Sequence, residues 1–205
     1  MNIYETVADE SLIHNATAGL AERGFTPHSV GTGAEALELI KTLIPAGASV
    51  YNGSSTTLNQ IGYIEYLKSG THGWNNLQAG ILAETDPAKQ AKMRKEASMA
   101  DFYLGSVHAL SASGELVIAS ASGSQMPAIV FNADNLIFVV STKKITANLE
   151  DALQRLKEHV FPLEDARMKS TGAPGSVLSK ILIYERHPGW GRNIHAVLVN
   201  ENLGF

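Results

Sequence analysis

Leu149, Ala152, Leu153, Leu156 and Val160 fall on one helical face, the clearest amphipathic pattern in the chain. Asn148 stands where a cap belongs, and Glu150 and Asp151 suit the positive first turn. The five consecutive apolar residues 136–140 read instead as a strand buried on both faces, as in a parallel sheet covered by helices. A shorter apolar run at 48–51 leads into a helix from about 56 to 68, with Leu58, Ile61, Glu65 and Lys68 spaced at three and four. Residues 101–107 and 115–119 read as two strands joined by Ser111-Ala112-Ser113-Gly114, which has hairpin chemistry. Residues 181–184 and 195–199 complete the strands. Further helices are predicted at 9–23, stopping at Gly24, at a Thr32/Glu35 capping box closing before Pro45, and from Asp86-Pro87 to about 99. Residues 71–85 carry no assignable pattern, and 166–175 reads as a polar loop. Helices alternating with short buried strands define an α/β class with an open, largely parallel sheet. At 205 residues, without repeat or linker, one domain is expected.

Ligands of open α/β sheets sit outside the carboxyl ends of the strands, so the residues following each strand are the place to look for chemistry. After 48–51 come Gly53, Ser54, Ser55, Thr56 and Thr57. A strand feeding such a turn and a helix start leaves backbone N–H groups facing one point, which suits a phosphate or carboxylate; the same hydroxyls also serve as caps. Ser106 and His108 follow the next strand. His108 reads either as a catalytic group or as a loop histidine held by hydrogen bonds. Glu115 reads either as a nucleophile or general base, or as a solvated hairpin charge. Gly123, Ser124 and Gln125 form a second anion loop or a helix cap. Lys143 and Lys144, after 136–140, are either one functional and one surface lysine or two surface lysines. His187 and His195, eight apart with Glu185 near, lack the spacing of a helical metal pair, and no metal site is expected. Trp74 and Trp190 read as packing or interface residues.

Composition narrows the partners. Sixteen basic and twenty acidic residues leave a net charge of −4 with no basic stripe, which argues against nucleic acid and anionic membrane. No apolar run approaches the length of a membrane span, and the first five residues are unlike a signal peptide, so the chain reads as cytoplasmic. Cysteine is absent, which removes thiolate nucleophiles and cysteine-ligated clusters from this chain.

Several segments, taken in order, resemble a known family. They are Ser54-Ser55-Thr56-Thr57-Leu58 with Ile61-Gly62; Ala100-Asp101-Phe102-Tyr103-Leu104-Gly105-Ser106-Val107-His108-Ala109-Leu110 running into Ser113-Gly114-Glu115-Leu116; Thr142-Lys143-Lys144-Ile145; Leu149-Glu150-Asp151-Ala152-Leu153-Gln154-Arg155; and the ending Val197-Leu198-Val199-Asn200-Glu201-Asn202-Leu203-Gly204-Phe205. The set resembles the LUD domain, the lactate-utilisation family of bacterial proteins, over nearly the whole chain. The resemblance implies a ribose-5-phosphate isomerase/CoA-transferase-like fold, also used by 5-formyltetrahydrofolate cyclo-ligase, and a part in oxidising lactate to pyruvate. Many relatives carry Gly-Asn-Arg where this chain has Gly123-Ser124-Gln125, and many carry a cysteine cluster in the region matching 169–192. Both departures point away from direct redox activity by this chain, which leaves an iron–sulfur oxidoreductase partner on a separate chain to supply it. The expectation is therefore a binder of a small anionic metabolite or phosphorylated cofactor. Its alternatives are a non-catalytic accessory or sensor subunit, or a transferase or isomerase for a phosphorylated or CoA-linked substrate.

Overall fold

Asp9, Thr32, Asn76, Asp86 and Asn148 each turn a side-chain oxygen onto the first turn of the helix that follows, and these caps fix where five helices begin. The computed structural model describes residues 3–205; Met1 and Asn2, which open the segment read as unlike a signal peptide, lie outside the described residues. The helices are α1 (Glu10–Glu22), α2 (Gly33–Leu43), α3 (Thr56–Gln60), α4 (Tyr63–Ser69), α5 (Leu77–Ala83), α6 (Pro87–Ala97), α7 (Leu149–Arg155) and α8 (Phe161–Ser170). The single helix predicted over 56–68 is two, because Gly62 takes φ +82° and breaks the helix between α3 and α4. A π-turn, Leu156–Val160, joins α7 to α8, and Pro162 in the first turn of α8 lacks the N–H a regular register would use there. The helical path thus runs to Ser170, into the segment predicted as loop.

Six strands form a parallel sheet in the order β1 (Thr26–Val30), β10 (Asn193–Val199), β7 (Asn135–Ser141), β4 (Phe102–Gly105), β2 (Ser49–Asn52) and β3 (Asn75–Asn76). Central β7 is the apolar run of the sequence. Its Leu136, Phe138 and Val140 join the core that holds Ala16, Leu20 and Ile81, while Ile137 and Val139 join the opposite layer with Ile40, Leu58 and Tyr63. The architecture is α/β, as the alternation of helices and strands predicted. Edge strand β1 escaped prediction because Thr-Pro-His-Ser-Val has neither an apolar run nor a full set of donors, and an edge tolerates both.

A second sheet, β8 (Ile145–Thr146), β5 (Ala109–Ser111), β6 (Leu116–Ser120) and β9 (Lys180–Tyr184), was not foreseen as a separate layer. The hairpin is β5–β6, antiparallel, and not the pairing of 101–107 with 115–119. Residues 102–105 instead belong to the parallel sheet as β4, and the chain crosses between sheets at Ser106 and Val107. One face of the second sheet, Ala109, Val117 and Ala119, packs on Ala152, Leu156 and Val160 of the α7 and π-turn segment. The other, Leu110, Leu116 and Ile118, joins the core beneath α1. No helix among the described residues is long and apolar enough to cross a membrane.

Candidate functional site

Where β2 and β4 end, the crossover at Ser106 brings the second sheet and the α7–α8 segment against the same edge, and a cavity of about 450 Å³ opens between them. Its polar side begins with Gly53, Ser54, Ser55, Thr56 and Thr57. Ser55 caps α3 by accepting from the Leu58 N–H at 3.2 Å. The next two amides, those of Thr56 and Thr57, have no protein acceptor among the described residues. Gly53 lets two side chains come close: a Cβ there would lie 2.8 Å from Gln125 Oε1 and 3.3 Å from the Tyr103 hydroxyl, so the Gln125 amide would have to shift. Ser124 and Gln125 also line the cavity, the Gln125 side chain being held by donating from Nε2 to the Ala119 carbonyl at 3.2 Å. Gly123 does not; it packs against Lys180.

Lys143 and Lys144 are both buried, at 3% and 4% exposure, so neither is the surface lysine the sequence allowed for. The short turn Thr142–Lys144 sends them in different directions. Lys143 Nζ leaves the cavity, pairing with Glu5 Oε2 at 2.8 Å and the Gly204 carbonyl at 2.8 Å. Lys144 Nζ lies at the cavity and donates to Thr57 Oγ1 at 3.0 Å, Ser106 Oγ at 3.1 Å and the Val107 carbonyl at 3.2 Å. All three acceptors are neutral. Burial, then the like charges of Arg155 and Lys143, holds the Lys144 amine well below the usual lysine range.

His108 lines the same wall, and its Nδ1 accepts from the Ala119 N–H at 3.1 Å, which assigns the ring proton to Nε2. Burial, reinforced by Lys144 and Arg155, pushes its pKa down to about 3. The imidazole is therefore a neutral donor at physiological pH and not a base waiting to titrate. In an NMR pH series its ring resonances should show no transition between pH 5 and 8. Arg155 is fully buried beneath it and donates to its carbonyl, with the Arg155 ring-face contact to Tyr4 at 5.8 Å. Glu5 also meets His159, at 2.9 Å, so one carboxylate lies against both Lys143 and this ring.

Glu115 lies outside this cavity. It is 7% exposed, ion-paired to Arg23 at the end of α1 and hydrogen-bonded to Ser111 and Ser113, so it is neither a solvated charge nor in reach of the polar wall. His187 and His195 are also apart: His195 Nδ1 meets His28 Nε2 at 3.1 Å, His187 donates its amide to the Arg23 carbonyl, and Glu185 pairs with Arg23. Trp74 packs among Tyr63, Tyr66 and His72, whereas Trp190 is exposed.

The sequence reading missed the opposite wall. Leu156, Val160 and Phe161 come from the π-turn and α8, and Met168, Leu178 and Phe205 close around them. The apolar stripe of 149–160 marks an amphipathic helix in the sequence, but nothing in its spacing sets the cavity-lining residues apart. Residues 13–184 match the family model described as the LUD domain. This chain belongs to the LUD domain family. The backbone of this LUD protein is similar to the crystal structure of a DUF162 family protein from Deinococcus radiodurans, with 13% identity and a TM-score of 0.53 over 94% of this chain and 98% of that one. At that identity the likeness is one of fold. No curated protein matches the sequence. The LUD match ends at β9, yet Gly204 and Phe205, beyond it, line the cavity.

Proposed function

We propose that this LUD-domain protein binds an organic anion, a carboxylate or phosphorylated metabolite, in the cavity at the strand ends. The supporting observation is Lys144: a buried amine at the cavity wall whose partners are all neutral, beside the further cations Lys143 and Arg155. A bound anion supplies the counter-charge this group lacks and raises its pKa back toward the ordinary range. Thr57 accepts from Lys144, so its own hydroxyl hydrogen is available to the guest, as are Nε2–H of His108 and the first amides of α3, whereas the Ser106 hydroxyl, which also accepts from Lys144, donates to the Val107 carbonyl at 3.4 Å. Ser54 and Ser124 stand at the rim of the same wall.

The family's name connects the domain to lactate utilisation. In that setting the ligand is a hydroxy or keto acid or a phosphorylated cofactor, and an iron–sulfur oxidoreductase on a separate chain carries the electrons. Two observations favour a binding or sensing subunit over turnover. His108 is held neutral, and Glu115 is committed to Arg23 away from the cavity. A thermal-shift and calorimetric panel of lactate, pyruvate, sugar phosphates, folates and CoA esters separates the readings. Binding with turnover supports an enzyme, binding without turnover supports the accessory role, and silence from every ligand overturns both. Ser55→Asp tests the loop: aspartate caps a helix as well as serine, so the fold is kept while a negative charge enters the cradle. Anion affinity is expected to fall at least about tenfold, a cost of about 1.4 kcal/mol. Unchanged affinity removes this loop from the site.

A further inference from the structure

We infer that the ligand of this cavity is an anion carrying an apolar chain, its head at Lys144 and its chain along the α7–α8 wall. The inference rests on the anion reading above and adds the class of molecule. The cavity is divided by chemistry. On one side stand the amine, hydroxyls and imidazole already described. On the other stand Leu156, Val160, Phe161, Met168, Leu178 and Phe205. Four of these, Leu156, Val160, Leu178 and Phe205, belong to the apolar cluster on the outer face of the second sheet, so the wall is a continuation of a core. The charged groups on this side, Glu164 and Arg167, satisfy each other through two bonds of 2.7 Å.

Size points the same way. Counted at a water's share of liquid volume per heavy atom, about 30 Å³, a space of 450 Å³ accepts about fifteen heavy atoms. A three-carbon hydroxy acid has six. Such a ligand satisfies the polar wall and leaves the apolar one facing water. An anion with a chain of about eight carbons covers both, and each methylene moved out of water tightens binding about three- to fourfold. The π-turn is what shapes this wall: it widens the helix where Leu156 and Val160 meet the cavity, a distortion that recurs at functional sites.

The test is calorimetric titration of the full chain with two series below their micelle concentrations: straight-chain carboxylates from acetate to decanoate, and alkyl phosphates from ethyl to octyl. Affinity is expected to climb about three- to fourfold per methylene to about octanoate, and the better series identifies the head group. Leu178→Ser and Met168→Gln, both half-buried positions, should flatten the climb and leave acetate or ethyl phosphate affinity unchanged. Lys144→Met should weaken every member by a common factor. A flat series in which the shortest anions still bind overturns the chain assignment and keeps the anion reading. A climb that neither Leu178→Ser nor Met168→Gln alters places the chain elsewhere and overturns it too. If no member binds, or Lys144→Met binds all of them as well as the unaltered protein, the anion reading itself falls.

Discussion

Replacing Lys144 by methionine is expected to weaken anion binding by about thirtyfold to a thousandfold, the equivalent of about 2–4 kcal/mol for truncating one side of a buried charged contact. The same substitution should change how stability depends on pH, which separates an electrostatic role from a packing one. Lys144 has a folded-state pKa well below its unfolded value, because burial and the neighbouring Arg155 and Lys143 disfavour its charge. Between those two values the unfolded chain holds a proton that the folded chain does not, so stability rises with pH until the unfolded lysine also deprotonates near 10.5. Each unit of the depression corresponds to about 1.4 kcal/mol of penalty at lower pH. Methionine removes this dependence. Urea titrations at pH 6 to 10 should therefore show the variant gaining most over the unaltered protein at pH 6, with the advantage shrinking as pH rises. Anion affinity in the unaltered protein should move the other way, weakening with rising pH, since the guest favours the protonated amine. A pH-independent difference in stability would mean that Lys144 is charged and compensated in the fold.

The residues that carry this expectation were legible in part. The strand ends around Gly53–Thr57, Ser106, His108 and Lys144 could be nominated because a parallel sheet collects its loops at one edge, and the structure brings them to one cavity. Ser124 and Gln125 reach the same cavity by another route. They follow β6, which belongs to the second sheet, so their place depends on how two sheets meet and not on the rule that nominated them. Adjacency in sequence misled at Lys143 and Lys144, because a turn of three residues points consecutive side chains in different directions. The setting of Glu115 was not legible because its pairing partner, Arg23, is 92 residues away. The apolar wall was hidden for a further reason. Leu156 and Val160 look like any helix core in sequence, and only the π-turn and the return of the chain at Leu178 and Phe205 make part of that stripe a binding surface. Arg155 is the same kind of case. A charged residue on an amphipathic helix reads as solvated, yet here it is fully buried and anchors the His108 backbone.

Glu115→Ala is expected to lower stability by about 3 kcal/mol without altering anion affinity. The carboxylate accepts from Arg23, which also reaches the Glu185 carboxylate at 2.7 Å and the Glu185 backbone carbonyl at 2.8 Å, so one guanidinium ties α1, the β5–β6 hairpin and the chain after β9 together. Removing the carboxylate leaves a largely buried guanidinium short of a partner and two serine hydroxyls without their acceptor. For a chain of this length the loss corresponds to about 6–12 °C in melting temperature. Its pH signature follows from the direction of the shift. Burial alone would raise the Glu115 pKa, but the hydroxyls of Ser111 and Ser113, its own amide and Arg23 outweigh that and hold it below the usual carboxylate range. The stabilisation is then complete above the unfolded value of about 4.5 and disappears as pH falls through the lower folded value. Unfolding titrations from pH 2.5 to 7 should show the unaltered protein losing its advantage over Glu115→Ala below about pH 4.5. Should Glu115→Gln instead melt like the unaltered protein while abolishing a turnover found in the ligand panel, the carboxylate would belong to the chemistry after all, and the ion pair with Arg23 would have to open for it to act.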